Sequence, residues 1–171
     1  MISSRWLIAA AAFLMCGCDR ILPQRDAPEL PDIGAIRQLY AENSLAATMH
    51  YSGNVVELVI QQPPEQLRRG GSLWARVGPY IYLFSPGTRE VFEHYRAVAG
   101  VRVITQAGGV EIARALLLRD RLNDLTWPRA LRLLSDALER GTERPSTLDR
   151  LVQFGEANAQ FQYNPDYLQP R

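Results

Sequence analysis

Lysine, cysteine and histidine are the scarce residues of this 171-residue sequence. It has no lysine, two histidines, and two cysteines that both lie within the first 18 residues. The rest of the chain therefore has no disulfide framework and no cysteine-ligated zinc, and His50 and His94 leave little for a histidine metal site. The 19 basic and 18 acidic residues give a formal net charge of +1, so no basic field attracts nucleic acid. We expect no metal, no cofactor and no nucleic-acid partner.

Long apolar runs and catalytic signatures are missing as well. The longest uncharged apolar run, residues 6–15, is too short for a membrane-spanning helix, which needs about 20 apolar residues. The sequence contains no G-x-S-x-G elbow, H-E-x-x-H motif, P-loop or dinucleotide-binding glycine pattern. With 47% hydrophobic and 22% charged residues, the composition is that of one ordinary globular domain. We predict no catalytic residue.

The N-terminus has the pattern of an exported protein. Arg5 and the short apolar run that follows it are typical of a secretory signal. This end resembles the lipobox of bacterial lipoproteins on residues Leu14, Met15, Gly17 and Cys18. A small residue must precede the lipidated cysteine in that family, so Gly17 selects Cys18 over Cys16. Met15 departs from the pattern, since leucine is commonest at its position.

The resemblance implies lipidation of Cys18. In bacterial lipoproteins the signal peptidase cuts before the cysteine, and diacylglycerol is attached to its sulfur. Residues 1–17 are then the signal peptide, and the lipid bilayer is the first expected partner, because two or three acyl chains anchor a protein stably. Asp19 directly after the cysteine resembles the signal that keeps enterobacterial lipoproteins in the inner membrane. We expect a lipid-anchored periplasmic domain in the bacterial cell envelope, with the inner membrane favoured.

Composition divides the mature chain into a tether and a domain. Residues 18–31 begin with the lipidated cysteine and contain three prolines, which favour an extended segment. Residues 32–171 have no internal repeat and no second composition break. We predict that they form a single α+β envelope domain.

Alternation of apolar and polar residues dominates the middle of the sequence and predicts strands. Gly53 and the Gly108-Gly109 pair occupy the turns of two hairpins. Residues 89–95 fit a strand, which we favour, and also a helix. The other predicted strands are 45–52, 55–60, 73–77, 80–85, 101–106 and 110–115.

Helical periodicity at both ends completes the predicted fold. Asp32 can cap a short helix over residues 33–43, and two helices are predicted over 126–140 and from Ser146 to about residue 155. The aromatic tail, 161–171, is expected to pack onto the body. The predicted fold is α+β: a mainly antiparallel meander of hairpins, preceded by a short helix and followed by two C-terminal helices.

Aromatic residues concentrate between positions 74 and 95. If 73–77 and 80–85 are strands, both faces of that strand pair are apolar, and the second face needs a cover. The protein's own helices are the simpler cover, while a ligand or a partner protein is the alternative. We predict Trp74, Tyr80 and Tyr82 as binding residues.

Three weaker candidates are charged. Glu90, Glu93 and His94 cluster, and on a helix Glu90 and His94 could pair as carboxylate and base. His50 is interpreted as a surface or satisfied edge histidine. Residues 68–72, Arg-Arg-Gly-Gly-Ser, offer donors to an anion. For all three, a solvated surface is the simpler interpretation.

Three functions remain open at this level. The favoured one is a membrane-tethered binding or assembly module of the cell envelope with a protein partner. It rests on the lipobox, the proline-rich tether, the missing catalytic motifs and the apolar strands. The alternatives are a carrier for an apolar ligand and a periplasmic hydrolase that uses His94.

The Cys18→Ala variant tests the anchor. Without the Cys18 sulfur the acyl chains have no attachment point, so labelling by a palmitate analogue should disappear and the protein should leave the membrane fraction. Cys16→Ala is the matched control and should keep both properties. Labelling that persists in Cys18→Ala and disappears in Cys16→Ala would move the site to Cys16.

Overall fold

The computed structural model describes residues 28–40 and 47–168. The predicted signal peptide, Cys18 and most of the tether lie outside these ranges. The elements in chain order are α1 (Ile33–Gln38), β1 (Ala47–Ser52), β2 (Val55–Gln61), α2 (Pro64–Leu83), α3 (Pro86–His94), β3 (Gly100–Ala107), β4 (Val110–Leu118), α4 (Thr126–Arg140), α5 (Pro145–Asn158) and β5 (Gln160–Tyr163).

The five strands form one mixed sheet whose spatial order, β1-β2-β3-β4-β5, equals their order in the chain. Neighbouring strands pair antiparallel, except that β2 and β3 are parallel. The parallel pair follows from α2 and α3, which form the crossover connection that parallel strands require. The domain is therefore α+β, but its helices are interleaved with the strands and the sheet is not a pure meander.

Two predicted hairpins are confirmed. The β1–β2 turn contains Gly53 with φ +63°, and the β3–β4 turn contains Gly108 and Gly109 with φ +58° and +80°. Two successive residues of positive φ are the requirement of a type I′ hairpin turn, which glycine meets without strain.

The predicted strands at 73–77 and 80–85 are wrong, because both segments belong to α2. Apolar residues on both faces of a short segment fit a buried helix as well as a buried strand. The Gly78-Pro79 pair, which separates the two predicted strands, lies inside the helix and is buried there. The backbone break comes earlier, at Gly71, whose φ of +57° and ψ of −145° divide α2 into two segments.

The favoured strand at 89–95 is also wrong, and the helical alternative is correct. Ser85 caps α3, since its Oγ accepts a hydrogen bond from the Thr88 N–H at 3.3 Å, and Pro86 occupies the first turn. The buried side of α3 carries Val91 and Phe92. With α2 and α3 in place of three strands, the sheet loses its predicted central hairpins.

The elements predicted at the two ends are present. The Asp32 carboxylate accepts from the Gly34 N–H at 2.7 Å at the start of α1, which ends at Gln38 within the predicted 33–43. α4 and α5 lie where two C-terminal helices were predicted. The tail packs onto the body as expected, since β5 pairs with β4.

The core lies between the sheet and its helices. α2 contacts β3 and β4, α5 packs on α2, and α4 packs on α5. The buried sheet residues on the helix side include Met49, Val56, Leu58, Ile60, Val101, Val103, Thr105, Ala115 and Leu117. A bulge opposite Thr105 and Gln106 turns Ile112 and Ala113 inward together, and both are about 1% exposed.

Arg119 fastens the segment between α3 and β3. Its guanidinium donates to the backbone oxygens of Phe92, Tyr95 and Val98, with Nε 2.9 Å from the Val98 oxygen. It also lies 5.2 Å from the centroid of the Phe92 ring. Carbonyl groups at the end of a helix have no hydrogen-bond partner inside the helix. The Arg119 guanidinium supplies the donors for the carbonyl groups in and after the last turn of α3.

Tyr80 and Gly155 bring α2 and α5 into close contact. Tyr80 is fully buried, and a Cβ added to Gly155 would lie 2.4 Å from its ring carbons. The ring also stacks on Phe84 with centroids 5.9 Å apart. The absence of a side chain at Gly155 is therefore what allows Tyr80 to fill the interface between these helices.

Gly155→Ala tests this packing. Helix propensity alone favours alanine by up to about 1 kcal/mol, but overpacking of a filled interior costs about 1–3 kcal/mol. We expect a net loss in the free energy of unfolding, measured by urea denaturation. In the Tyr80→Leu background the loss should shrink, because the smaller side chain makes room. A raised stability in Gly155→Ala alone would contradict the packing described.

Candidate functional site

The sheet has one face that no helix covers within the described part of the chain; we call it the open face. Strand register places its side chains in rows that run across all five strands. One row is His50, Glu57, Arg102, Leu116 and Gln160, and the next is Thr48, Val59, Ile104, Arg114 and Gln162. All ten side chains are exposed or half-exposed, whereas their chain neighbours in β2 and β3 point into the core.

The open face carries apolar side chains where an alternating strand would place polar ones. They are Val55, Val59, Ile104, Leu116 and Leu118, of which Leu118 is 36% exposed and the others are partly exposed. None of them belongs to the core clusters. A sheet with one wet face usually shows a clean apolar and polar alternation, so these five side chains are the feature that needs a function.

A chain of polar side chains crosses the strands between these apolar residues. Glu57 Oε1 lies 3.1 Å from His50 Nε2 on β1, and Glu57 Oε2 accepts from Arg102 Nη1 on β3 at 2.8 Å. The Glu57 side chain is only 13% exposed. Its carboxylate therefore ties three neighbouring strands together from the middle of the row.

A groove of about 300 Å³ lies at the β3–β5 end of the open face. Its lining is Arg102, Arg114, Ala115, Leu116, Gln160, Phe161 and Gln162. The lining has two guanidinium groups and two primary amides but no carboxylate. Arg114 donates to Glu111 at 2.5 and 2.8 Å, and Arg102 gives one N–H to Glu57. Each guanidinium has five N–H donors, so these bonds leave capacity for an anionic ligand.

The predicted binding residues lie in the other layer. Trp74, Tyr80 and Tyr82 belong to α2, where Tyr80 is fully buried and the other two are partly buried against the core. The structure therefore does not bring them together on a strand face. The helices are the expected cover for these three rings, but the rings themselves belong to the helix layer.

Tyr80 takes part in a polar network with Tyr163 on β5 and Glu156 on α5. The Tyr80 and Tyr163 hydroxyls are 2.7 Å apart, and Tyr163 donates to Glu156 Oε1 at 2.9 Å. Arg76 on α2 donates to the same oxygen at 2.7 Å. Burial raises the pKa of Tyr80 to about 12, and burial with the Tyr80 and Glu156 contacts raises that of Tyr163 further. Both hydroxyls stay neutral at physiological pH, so the network joins α2, α5 and β5 and is not a base.

The charged candidates do not assemble into catalytic pairs. His94, exposed at the end of α3, donates from Nδ1 to the backbone oxygen of Glu90 at 3.0 Å. That contact uses the main chain and not the Glu90 carboxylate. Glu93 pairs with Arg89 at 2.6 Å, and Arg68 pairs with Glu65 on the exposed first part of α2 at 3.0 Å.

Sequence reasoning missed the open face, although one signal was available. Val59 and Ile104 occupy positions in β2 and β3 that polar residues take in half-buried strands. Such a strand with apolar residues in both phases indicates either two covered faces or an interaction surface. The aromatic residues of 73–85 give a stronger version of the same signal, although that segment is helical.

No protein-family model matches this chain, and no curated protein or solved structure is significantly similar to it. Among the described residues, no three histidine, cysteine, aspartate or glutamate side chains group as metal ligands. In residues 28–40 and 47–168 no helix has the length and apolar character to cross a bilayer. The open face, with its partly exposed apolar side chains and its groove, is the candidate site among the described residues.

Alkaline unfolding tests the tyrosine network. Because the chain has no lysine, tyrosine is the main group that titrates between about pH 9 and 12. The pKa values of Tyr80 and Tyr163 are raised by folding, so their contribution to stability is complete below about pH 10 and falls as pH rises further. The fall is at most about 1.4 kcal/mol per pH unit for each tyrosine.

The measurement is the urea midpoint at pH 8 and pH 11 for the wild type and for Tyr163→Phe. We expect a smaller loss between the two pH values in the variant, because one raised pKa has been removed. An equal loss in both proteins would show that Tyr163 titrates alike in the folded and unfolded chains.

Proposed function

We propose that this protein is a membrane-anchored lipoprotein of the bacterial cell envelope that acts as a binding or assembly module. Cys18 supplies the anchor in the lipid bilayer, and the open face docks an envelope protein. The observation that carries the proposal is the set of five apolar side chains on a sheet face without a covering layer in the described chain.

Physical chemistry favours docking over solvent exposure at this face. Apolar surface gains free energy when it leaves water, at about 25 cal/mol per Å². Contiguous exposed apolar patches on soluble domains typically mark interaction surfaces. The Glu57 contacts with His50 and Arg102 lie between Val55 and Val59 of β2, so the docking surface combines apolar side chains with a polar row at its centre.

The anchor explains why the partner belongs to the envelope. Residues 19–31, when extended, span at most about 45 Å, so the domain samples a thin layer next to the membrane. Tethering raises the effective concentration of a partner in the same layer. A partner held at the same membrane can therefore be bound through a modest interface.

The groove supports a protein partner over an apolar ligand, because arginine and glutamine side chains make up most of its lining. The His94 contact with a main-chain oxygen gives no support to a hydrolase. Trp74 and Tyr82, partly exposed on the helix layer, remain the second candidate surface for the same function.

Site-specific photo-crosslinking in living cells tests the docking surface. A photoreactive residue in place of Ile104 on the open face should give a discrete crosslinked product. The matched control is Leu138 on α4, which is apolar and 60% exposed but lies in the helix layer. A product at Leu138 without one at Ile104 would move the interface to the helices.

Substitution gives the complementary test. Val59→Thr with Ile104→Thr keeps the β-branched shape and removes apolar surface, so the crosslink from a probe at Thr48 should weaken by about tenfold or more. Both side chains are partly exposed, so the melting temperature should change little. An undiminished crosslink in a folded double variant would contradict the proposal.

A further inference from the structure

β5 is an edge strand, and its outer side has unused hydrogen-bonding groups. The Asn164 N–H donates to the Ile112 oxygen at 2.8 Å. Directly opposed pairs in an antiparallel ladder alternate between bonded and non-bonded. The pairs of Arg114 with Gln162 and of Leu116 with Gln160 therefore carry the β4–β5 bonds.

The main-chain groups of Phe161 and Tyr163 consequently point away from β4. No other strand pairs with this side of β5 in the described chain. Phe161 is 44% exposed and its ring lies 5.0 Å from that of Tyr163, centroid to centroid. An unpaired edge with aromatic side chains is a template for an added strand.

The groove lies directly beside this edge and sets the charge of what it can accept. Gln160 and Gln162 of β5 belong to its lining together with Arg102 and Arg114. A strand added to β5 would lie two strand spacings, about 9.5 Å, from β4. The carboxylate of a glutamate on the added strand and the guanidinium of Arg114 on β4 can come into contact across β5, because both side chains are long.

We propose that β5 accepts an extended acidic segment of the partner protein as a sixth strand, whose carboxylates bind Arg114 in the groove. Because strand side chains alternate between faces, acidic residues at every second position would lie on the face that carries Arg114. The residues between them would face the helix side, where Phe161 offers apolar contact. This inference rests on the proposed docking function and names the chemistry of the partner.

The opposite edge of the sheet does not fit the same ligand. The row that reaches β1 brings the Glu57 carboxylate next to His50, and Glu57 would repel an acidic segment. Arg114 in the groove is itself paired with Glu111, but the groove lining holds two guanidinium groups and no carboxylate. The N–H donors that Arg114 does not use therefore favour β5 over β1 for an acidic segment.

Labelled peptides test the proposal with the full-length protein in detergent micelles. The probe is an acetylated six-residue peptide of alternating valine and glutamate, and its binding is measured by fluorescence anisotropy. The valine and glutamine peptide should bind at least about tenfold more weakly, since charged hydrogen bonds are the stronger ones. Equal binding of both peptides would remove the role of the arginines and overturn the proposal.

Two variants separate the edge from the groove. Phe161→Pro removes the N–H that points away from β4 and leaves the β4–β5 hydrogen bonds in place, and edge strands tolerate proline at such a position. This variant should abolish peptide binding. The control variant Phe161→Leu, which keeps the N–H, should still bind the peptide. Arg114→Gln in the Glu111→Gln background removes the charged pair together and should weaken binding by about tenfold. Undiminished binding in Phe161→Pro would overturn strand addition.

Amide hydrogen exchange gives a readout that does not depend on whether the proline variant folds. The glutamate peptide should slow the exchange of the Phe161 and Tyr163 amides in the wild type. Unchanged exchange of these amides at saturating peptide would overturn the proposal. A concentration-dependent dimer that Phe161→Pro dissociates would also overturn it, because a second copy of this chain would then occupy the β5 edge. Binding to anionic vesicles that Arg114→Gln abolishes, without peptide binding, would assign the groove to lipid.

The crosslinking at Ile104 distinguishes this inference from the proposed function. If that crosslink forms while the peptides fail to bind, the open face docks a protein by another mode and only strand addition is wrong. If neither is observed, both proposals fail.

Discussion

The contact between Tyr80 and Gly155 determines how the helix layer is assembled. α2 is the helix that packs on β3 and β4, and α5 packs on α2. The ring of Tyr80 occupies the space that a side chain at residue 155 would need, while its hydroxyl joins Tyr163 of β5. One residue therefore sets the distance between two helices and fastens the last strand. α4, which packs on α5, depends on the same contact.

The sequence supports prediction where local chemistry decides the structure. The glycine pair at 108–109 permits only a tight turn between two alternating runs, and the hairpin of β3 and β4 follows. Ser85 followed by Pro86 is a local signal for the start of a helix. The alternation of apolar and polar residues around it favours a strand, and the two signals conflict. The helix in α2 is a different case, because Pro79 inside it opposes helix formation, yet the segment is helical and buried there. Tertiary packing is not visible in a local pattern.

The candidate site shows the same division. The proposal that Cys18 is lipidated rests on a short contiguous motif and needs no fold. The open face consists of residues from five strands that are far apart in the chain, such as Glu57 and Arg102, and their ion pair exists only through the parallel register of β2 and β3. Predicting that register required the crossover formed by α2 and α3. Since that segment was interpreted as strands, the rows across the sheet could not be derived.

Strand order equal to chain order places the beginning and the end of the domain at opposite edges of the sheet. The chain enters beside β1, where the Tyr51 hydroxyl donates to the Pro31 oxygen at 2.8 Å, and β5 closes the far edge. Tension between the tether and a partner at β5 would cross every ladder of the sheet in turn. The Glu57 carboxylate, bound to β1 and β3 side chains from β2, bridges two of those ladders. Under the proposed anchoring and docking, such tension would pass through the parallel pair of β2 and β3.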